Sequence, residues 1–491
     1  MGISRKLGSW LGDFADAKYT PLNSSAGNEG AGFAHHRDAT LKKNQDRRLL
    51  GIISVIAGVL LLLSLLLAFG CAWSHESNEG TSRLWGQYSP YFPVPSELDP
   101  AIPPDCAVTF VQVLSRHGAR DPTTYKTELY NATITELQRT VTSYPDGYEF
   151  IRDFEYTLGA DQLTQFGIHQ LREQGRAVAE RYPGLAGKEG PFIRASGQQR
   201  VIDSAVHWAK GFSEVEAAPS GLEDTIVIVP EGEGTNNTLD HGLCTAFEDS
   251  SGDEARDAWS DIFTAPIIAR LNANLPGANF TRETVIHLMD LCPFVTVADP
   301  TGKPSQFCDL FTLDEWRSYD YYQSLGKFYS YGAGHPLGPT QGVGFVNELI
   351  ARMTGTPVRD ETSTNRTMDR TPETFPMDRK LYADFSHDNT MVSIFAALGL
   401  YNVTEGLPRG ERVEPGEAGG FSASWTVPFA GRMFVEVMRC GGKEMVRVVV
   451  NGRVVEIGGC KGDAMGRCEL GEFIKGLEFA RGGGRWEECF S

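Results

Sequence analysis

Arg116, His117 and Arg120 crowd into the stretch VQVLSRHGARDP (111–122), and His387 is followed directly by Asp388 in SHDN (386–389). A guanidinium is planar, permanently charged and matched to two oxygens of a phosphate, so paired arginines suit a phosphoryl group. An imidazole set between two cations resists protonation, which keeps a nucleophilic neutral ring available. His117 could then attack phosphorus and carry the phosphoryl group as a phosphohistidine, with Arg116, Arg120 and His387 stabilising the migrating charge. The departing alkoxide needs a proton, and Asp388 is a suitable donor when mild acidity or its surroundings keep it as the acid. Gly118 reads as the residue that lets the backbone turn tightly beside the histidine. Either loop alone reads more readily as a solvated turn; the chemistry is suggested by the two together.

Two loops share a site only if the elements before them end side by side. Residues 107–114 (AVTFVQVL) and 381–385 (LYADF) are apolar and β-rich, as strands buried on both faces are. Ligands in open α/β sheets bind beyond the carboxyl ends of such strands, so the two loops are expected to face one crevice. Helical patterns run over 163–182, 201–212 and 343–353, and VRVVVNGRVVEI carries Asn451-Gly452 between alternating runs, a hairpin signal. Strands alternating with helices imply an α/β fold, and the strand-poor middle of the chain implies a mainly helical insertion. GAGHPLGPTQGVG, with His335, resembles a nucleotide loop only superficially and reads as a helix entry.

The 491 residues carry a formal net charge of -18. That argues against a nucleic-acid surface, which needs a broad basic face, so any anionic ligand must meet a local pocket of cations. Residues 49–73 contain no charge and suffice to cross a hydrocarbon layer of roughly 30 Å as a helix. Lys42, Lys43, Arg47 and Arg48 precede this run and Glu76 and Glu79 follow it. The expectation is a disordered cytoplasmic tail (1–48), a transmembrane signal anchor (49–73) in a single-pass type II membrane protein, an extension lying against the next domain (74–104), and a lumenal or extracellular domain (105–491). The alternative is secretion after cleavage near Ala68 and Gly70. MGISRK has Lys6 where a myristoylation signal wants Ser or Thr, so no lipid anchor is expected. Apart from Cys71, eight of the nine cysteines follow the anchor, an even number that fits disulfides in an oxidising space, in a pairing left open. Sequons at Asn131, Asn236, Asn279, Asn365 and Asn402 lie on the same side.

The blocks LWGQYSPYF, VTFVQVLSRHGAR, TLGADQLT, FIRASGQQRVIDSA, GPTQGVGFVNELIARMT, LYADFSHDN and FAALGLYN, in this order, resemble the histidine acid phosphatase family and within it the secreted fungal phytases. The resemblance runs from about Leu84 to Phe490. It implies a mixed open sheet flanked by helices with a mainly helical inserted domain, and the release of phosphate from myo-inositol hexakisphosphate without metal or cofactor. It implies His117 as nucleophile and Asp388 as proton donor. Arg116, Arg120, Arg200 and His387 would bind the phosphate, with Gln87, Tyr88, Thr123 and Lys327 beside the substrate and Arg194 structural. It also implies disulfides Cys106–Cys440, Cys244–Cys489, Cys292–Cys308 and Cys460–Cys468.

Departures from that pattern bear on substrate choice. Asp121 stands where tyrosine is common in these phytases, and Leu129 and Gly326 stand where lysines are frequent, although Lys126 remains. The family's first disulfide has no cysteines here. A broader acid phosphatase is therefore the alternative, acting on small phosphomonoesters as a monomeric ectodomain. Two further readings are a non-catalytic phosphate-binding ectodomain, disfavoured because His117 and Asp388 are both present, and a metal-dependent hydrolase built on the His387-Asp388 pair, disfavoured for want of further ligands at helical spacing.

Overall fold

In the computed structural model, which describes residues 80–215, 219–248, 250–402 and 405–491, the apolar run at 107–114 is the middle of strand β1 (Cys106–Arg116). Phe110 and Leu114 point into one hydrophobic cluster, Val111 and Val113 into another. The strand is covered on both faces, which is why it carries apolar residues at consecutive positions. The further strands are β2 (Phe192–Ser196), β3 (Val227–Val229), β4 (Leu381–Ser386), β5 (Arg432–Cys440), β6 (Lys443–Val450), β7 (Arg453–Val455) and β8 (Cys468–Glu469). They form one mixed sheet in the order β3-β2-β4-β1-β5-β6-β7, with β8 on β6. The half from β3 to β1 is parallel and the remainder antiparallel. Asn451 and Gly452, with φ of 50° and 85°, make the two-residue turn between β6 and β7 that the sequence predicts.

The helices used below are α1 (Thr124–Thr140), α2 (Gln165–Arg181), α3 (Gln199–Ser213), α4 (Ser250–Asn274), α5 (Arg282–Ala298), α6 (Leu313–Ser330), α7 (Val343–Thr354) and α8 (Asp388–Ala397). Helices α2 and α3 cover one face of the sheet, where Leu171, Val178, Val201 and Trp208 pack with Val113, Ile193 and Phe385. The insertion between β3 and β4 is helical, as expected, and its α4, α5 and α6 bury Trp259, Phe263, Leu288, Phe294, Trp316 and Tyr319 in the cluster of the other face. Threonine capping boxes at Thr281 and Thr312 start α5 and α6 by satisfying N–H groups that the helix itself leaves free.

Residues 80–104 start against α6, where the fully buried Trp85 meets Trp316, and reach the β6–β7 turn, where the Val94 N–H donates to the Asn451 carbonyl at 2.8 Å. The four disulfides are Cys106–Cys440, Cys244–Cys489, Cys292–Cys308 and Cys460–Cys468, the pairing the resemblance implies. Among the sequon asparagines, Asn131, Asn279 and Asn402 are exposed. The amides of Asn236 and Asn365 instead hold backbone carbonyls of neighbouring loops. No helix among the described residues is long and apolar enough to cross a membrane. The tail at 1–48 and the predicted crossing at 49–73 lie outside the described residues.

Candidate active site

Strands β1 and β4 are parallel neighbours with Arg116 opposite Ser386, so the chain leaves both at the same edge of the sheet. The His117 N–H donates to the Ser386 carbonyl at 3.2 Å, and the rings of His117 and His387 are 5.8 Å apart. His117 is buried, with Nδ1 2.8 Å from the Gly118 carbonyl. A carbonyl only accepts, so Nδ1 carries the proton and Nε2 keeps its lone pair in the neutral ring. Burial, followed by the charges of Arg116, Arg200 and Arg120, holds the ring well below the usual histidine pKa, so it is neutral in the acidic range.

Gly118 departs from its expected part. Its φ lies outside the left-handed region; a Cβ there would sit 2.5 Å from Leu171 Cδ2 and 2.6 Å from the Gly167 carbonyl oxygen. What the position requires is close approach of the loop to the first turn of α2, and Gly167 matches it from the other side, since its own Cβ would overlap the Ala119 backbone.

Arg116 is fully buried under the Phe429 ring, 4.6 Å from guanidinium to centroid, and donates to the Val427 carbonyl (2.8 Å) and the Gln87 carbonyl. Burial pushes it down to about 10, which leaves it a cation. Arg120 donates to the Asp121 carbonyl at 2.7 Å, and Arg200 meets the Asp161 carboxylate at 3.4 Å. The Nε atoms of Arg116, Arg120 and Arg200 are buried without a hydrogen-bond acceptor. Buried N–H groups in that state cost free energy, which an anion would offset. Arg194 is different: it pairs at 2.9 Å with Asp384 of β4 and also with Glu348 of α7, and Arg352 meets Asp384 at 2.7 Å.

Asp388 is the first residue of α8, and its Oδ2 lies 3.1 Å from Arg116 Nη2 and 2.9 Å from Lys327 Nζ. Burial pushes the carboxyl up, but the charges of Arg116 and Lys327 and the Lys327 hydrogen bond outweigh it and hold the group well below the usual carboxylate range. The free site therefore contains a carboxylate. His387 donates through Nε2 to Glu231 Oε1 at 2.9 Å, and Ser196 Oγ donates to the same oxygen at 2.5 Å. Burial would raise Glu231, but those bonds hold it down at about 2. The His387-Asp388 pair is thus divided between an acidic and a cationic partner. Among the described residues no group of three or more His, Cys, Asp or Glu could hold a metal ion.

The other candidates occupy distinct places. Gln87 turns its side chain away, onto Gln323 Oε1 at 3.0 Å, and offers Arg116 its backbone carbonyl. Tyr88 packs on Phe294 at 4.7 Å within the electrostatic reach of Arg120 and Asp388. Thr123 is the N-cap of α1 and accepts from the Lys126 N–H. Lys327, in the last turn of α6, bonds directly to Asp388 and Asn389. Sequence reasoning missed Glu231, just past β3, and Phe429. It also missed Asp161, which has φ of 61° and accepts from both Thr124 N and Oγ1 at 3.0 Å. Glu231 and Phe429 carry no motif, and Asp161 lies within the block TLGADQLT, which assigns it no role.

The model of the histidine phosphatase superfamily (branch 2) matches residues 107–451, a span that contains both loops. Phytase A of Aspergillus fumigatus is 49% identical over 429 residues, covering 85% of this chain and 92% of that protein. Phytase A of Emericella nidulans is 50% identical over 427 residues, covering 85% and 92%. Among solved structures, the phytase from D. castellii superposes with a TM-score of 0.69 at 22% identity, covering 83% of this chain and 87% of that one, and is similar in fold. The multiple inositol polyphosphate phosphatase of Bifidobacterium longum gives 0.55 at 16% identity, covering 80% and 97%. With the family model spanning both catalytic-type loops and these relatives matched over nearly their whole length, the chain belongs to the histidine phosphatase superfamily, branch 2.

Proposed function

We propose that this protein is a phosphomonoester hydrolase of phytase type, an acid phosphatase that releases phosphate from myo-inositol hexakisphosphate through a phosphohistidine on His117. The observation that carries the mechanism is a neutral, buried His117 whose Nε2 keeps its lone pair among Arg116, Arg120 and Arg200. Kinship with proteins named Phytase A supports the substrate class.

In this reading the phosphate is held by the three arginines and His387. The Nε2 lone pair forms the N–P bond while the P–O ester bond breaks, and the departing oxygen takes a proton from Asp388. Water then attacks phosphorus, the N–P bond breaks, and the water's proton returns to Asp388. The free site holds Asp388 as a carboxylate, so its proton must arrive with the substrate. A phosphate dianion occupies Arg116 and adds negative charge beside Asp388; both changes raise the carboxyl's pKa. Activity is therefore expected at acidic pH and falls as Asp388 loses its proton. Lys327 and Tyr88 border the phosphate, and Gln87 and Thr123 hold the walls through Arg116 and α1.

Replacing His117 with Ala is expected to lower turnover of phytate by roughly 10⁴-fold or more, with an unchanged circular dichroism spectrum. Substantial residual hydrolysis in a folded variant contradicts the assignment. A broader phosphomonoesterase is favoured by the uncharged Leu129 and Gly326, which stand where these phytases often have lysine. Asp121 counts less toward that reading, because its carboxylate accepts from the Gly159 N–H at 3.2 Å.

The uncharged run at 49–73 after a basic flank supports a tethered, type II form of this enzyme. Alkaline carbonate extraction of the full chain from expressing cells should leave it in the membrane pellet; release into the medium with a new N-terminus beyond the run contradicts tethering.

A further inference from the structure

The loop that follows α7 and the turn after Ala480 enclose a cavity of about 590 Å³ that includes no residue of the loops 115–123 and 386–389. Arg359, Arg366, Arg370 and Arg481 line it, in a chain whose formal net charge is -18. Arg366 is paired with Glu361. Arg359, Arg370 and Arg481 are exposed and have no carboxylate within ion-pair reach among the described residues.

The other acids of the wall, Asp360 and Asp369, form no ion pair with these three arginines. Asp360 is turned to neutral donors, accepting from Asn347 Nδ2 of α7 at 2.7 Å and, within its own loop, from Thr362 N at 2.7 Å and Thr364 Oγ1 at 3.0 Å, so it keeps its charge but points it at the loop. Asp369 lies beside Glu348; burial and that neighbouring carboxylate push it up to about 8, despite Arg194 and Arg352 nearby, so it is a neutral acid at acidic pH. The loop is also held in place before any ligand arrives. Asn236 Nδ2 donates to the Thr364 carbonyl at 2.8 Å, Asn365 caps the turn Arg366–Asp369, and Asn347 ties the loop to the Ala480 carbonyl at 3.0 Å. A backbone already fixed loses less freedom on binding than a mobile loop does.

We propose that this cavity is a second anion site, separate from the catalytic loops, that takes a small organic polyphosphate. Guanidinium groups match phosphate oxygens in pairs, and three unpaired ones spread around a concavity fit several phosphates on one ring better than a single free ion. The volume falls in the range of small-ligand sites, about 300–1,000 Å³. The proposal rests on the function given above only for the choice of polyphosphate, since substrate and partly dephosphorylated products of that reaction carry this chemistry.

The test is a calorimetric titration of the full chain, at mildly acidic pH, with myo-inositol hexakissulfate, a polyanion the enzyme does not hydrolyse. Two molecules per chain are expected. The triple variant Arg359→Ser, Arg370→Ser, Arg481→Ser, with an unchanged melting temperature and kcat, should bind one, and Arg120→Ala should lose the other. Inorganic phosphate should fill the second site at least about tenfold more weakly, because it engages one guanidinium pair at a time. A wild-type stoichiometry of one that the triple variant retains overturns the proposal, and so does phosphate binding as tightly as the hexasulfate. A site lost only in the triple variant stands whatever Arg120→Ala does to turnover, so the two readings fail separately.

Discussion

Lys327 and Arg116 hold Asp388 ionised in the free site, while the proposed chemistry asks Asp388 for a proton. The two demands are reconciled if bound phosphate redirects Arg116, and they make Lys327 a tuning residue as well as a neighbour of the substrate. A cation lowers a carboxyl's pKa, so removing it raises that pKa and keeps Asp388 protonated to higher pH. Lys327→Met is therefore expected to move the alkaline limb of the kcat profile upward by about one unit or more, with a higher KM, and Lys327→Arg should restore the wild-type limb. A limb that stays in place, or moves to lower pH, separates Lys327 from Asp388 in the catalytic complex. His117, Arg116, Arg120, His387 and Asp388 were legible because they sit in two compact motifs. Glu231, Asp161 and Phe429 were not, because each reaches the site from a separate loop and acts through a partner: Glu231 through His387, Asp161 through Arg200, Phe429 through the face of Arg116.

At the scale of elements, the phosphate loop is positioned by the fit of 118–120 against the first turn of α2. Alanine is ordinarily a better helix former than glycine by about 1 kcal/mol, so Gly167→Ala in an unconstrained helix would stabilise. Here the added Cβ would meet the Ala119 backbone, which cannot rotate aside. The substitution is expected to cost about 1–3 kcal/mol in thermal unfolding and to raise KM by displacing Arg120; a stabilised variant with normal KM contradicts the packing described. Strands β1 and β4 and the β6–β7 turn were readable from the apolar pattern. Strands β2 and β5 were not, because Arg194 and Glu436 interrupt them, and these charges are fully buried and answered by Asp384 and Glu348 in one case and by Arg447 in the other. Buried charges interrupt the apolar run that sequence reading depends on, although β4 stays legible around Asp384 because Leu381, Tyr382, Ala383 and Phe385 flank it. The three residues of β3 are too few to show any period at all.

At the scale of the whole molecule, an acidic chain gathers Arg116, Arg120, Arg200 and Lys327 at one edge of its sheet, a local concentration of cations that attracts an anionic ester against the overall charge. The parallel half of the sheet sets this edge, since β1, β2, β3 and β4 all end there, and the helical insertion contributes Lys327 from α6. Most of the architecture outside the motifs follows from how these strands cross over, which no local pattern announces. The central claim is that His117 carries the phosphoryl group, and it is tested most directly by quenching the full chain with alkaline denaturant during turnover of ³²P-labelled phytate. The account predicts protein-bound label that survives base, is lost in acid, maps to the peptide containing His117 and is missing from the His117→Ala variant. Steady turnover with no label on the polypeptide, or label on another residue, would contradict it.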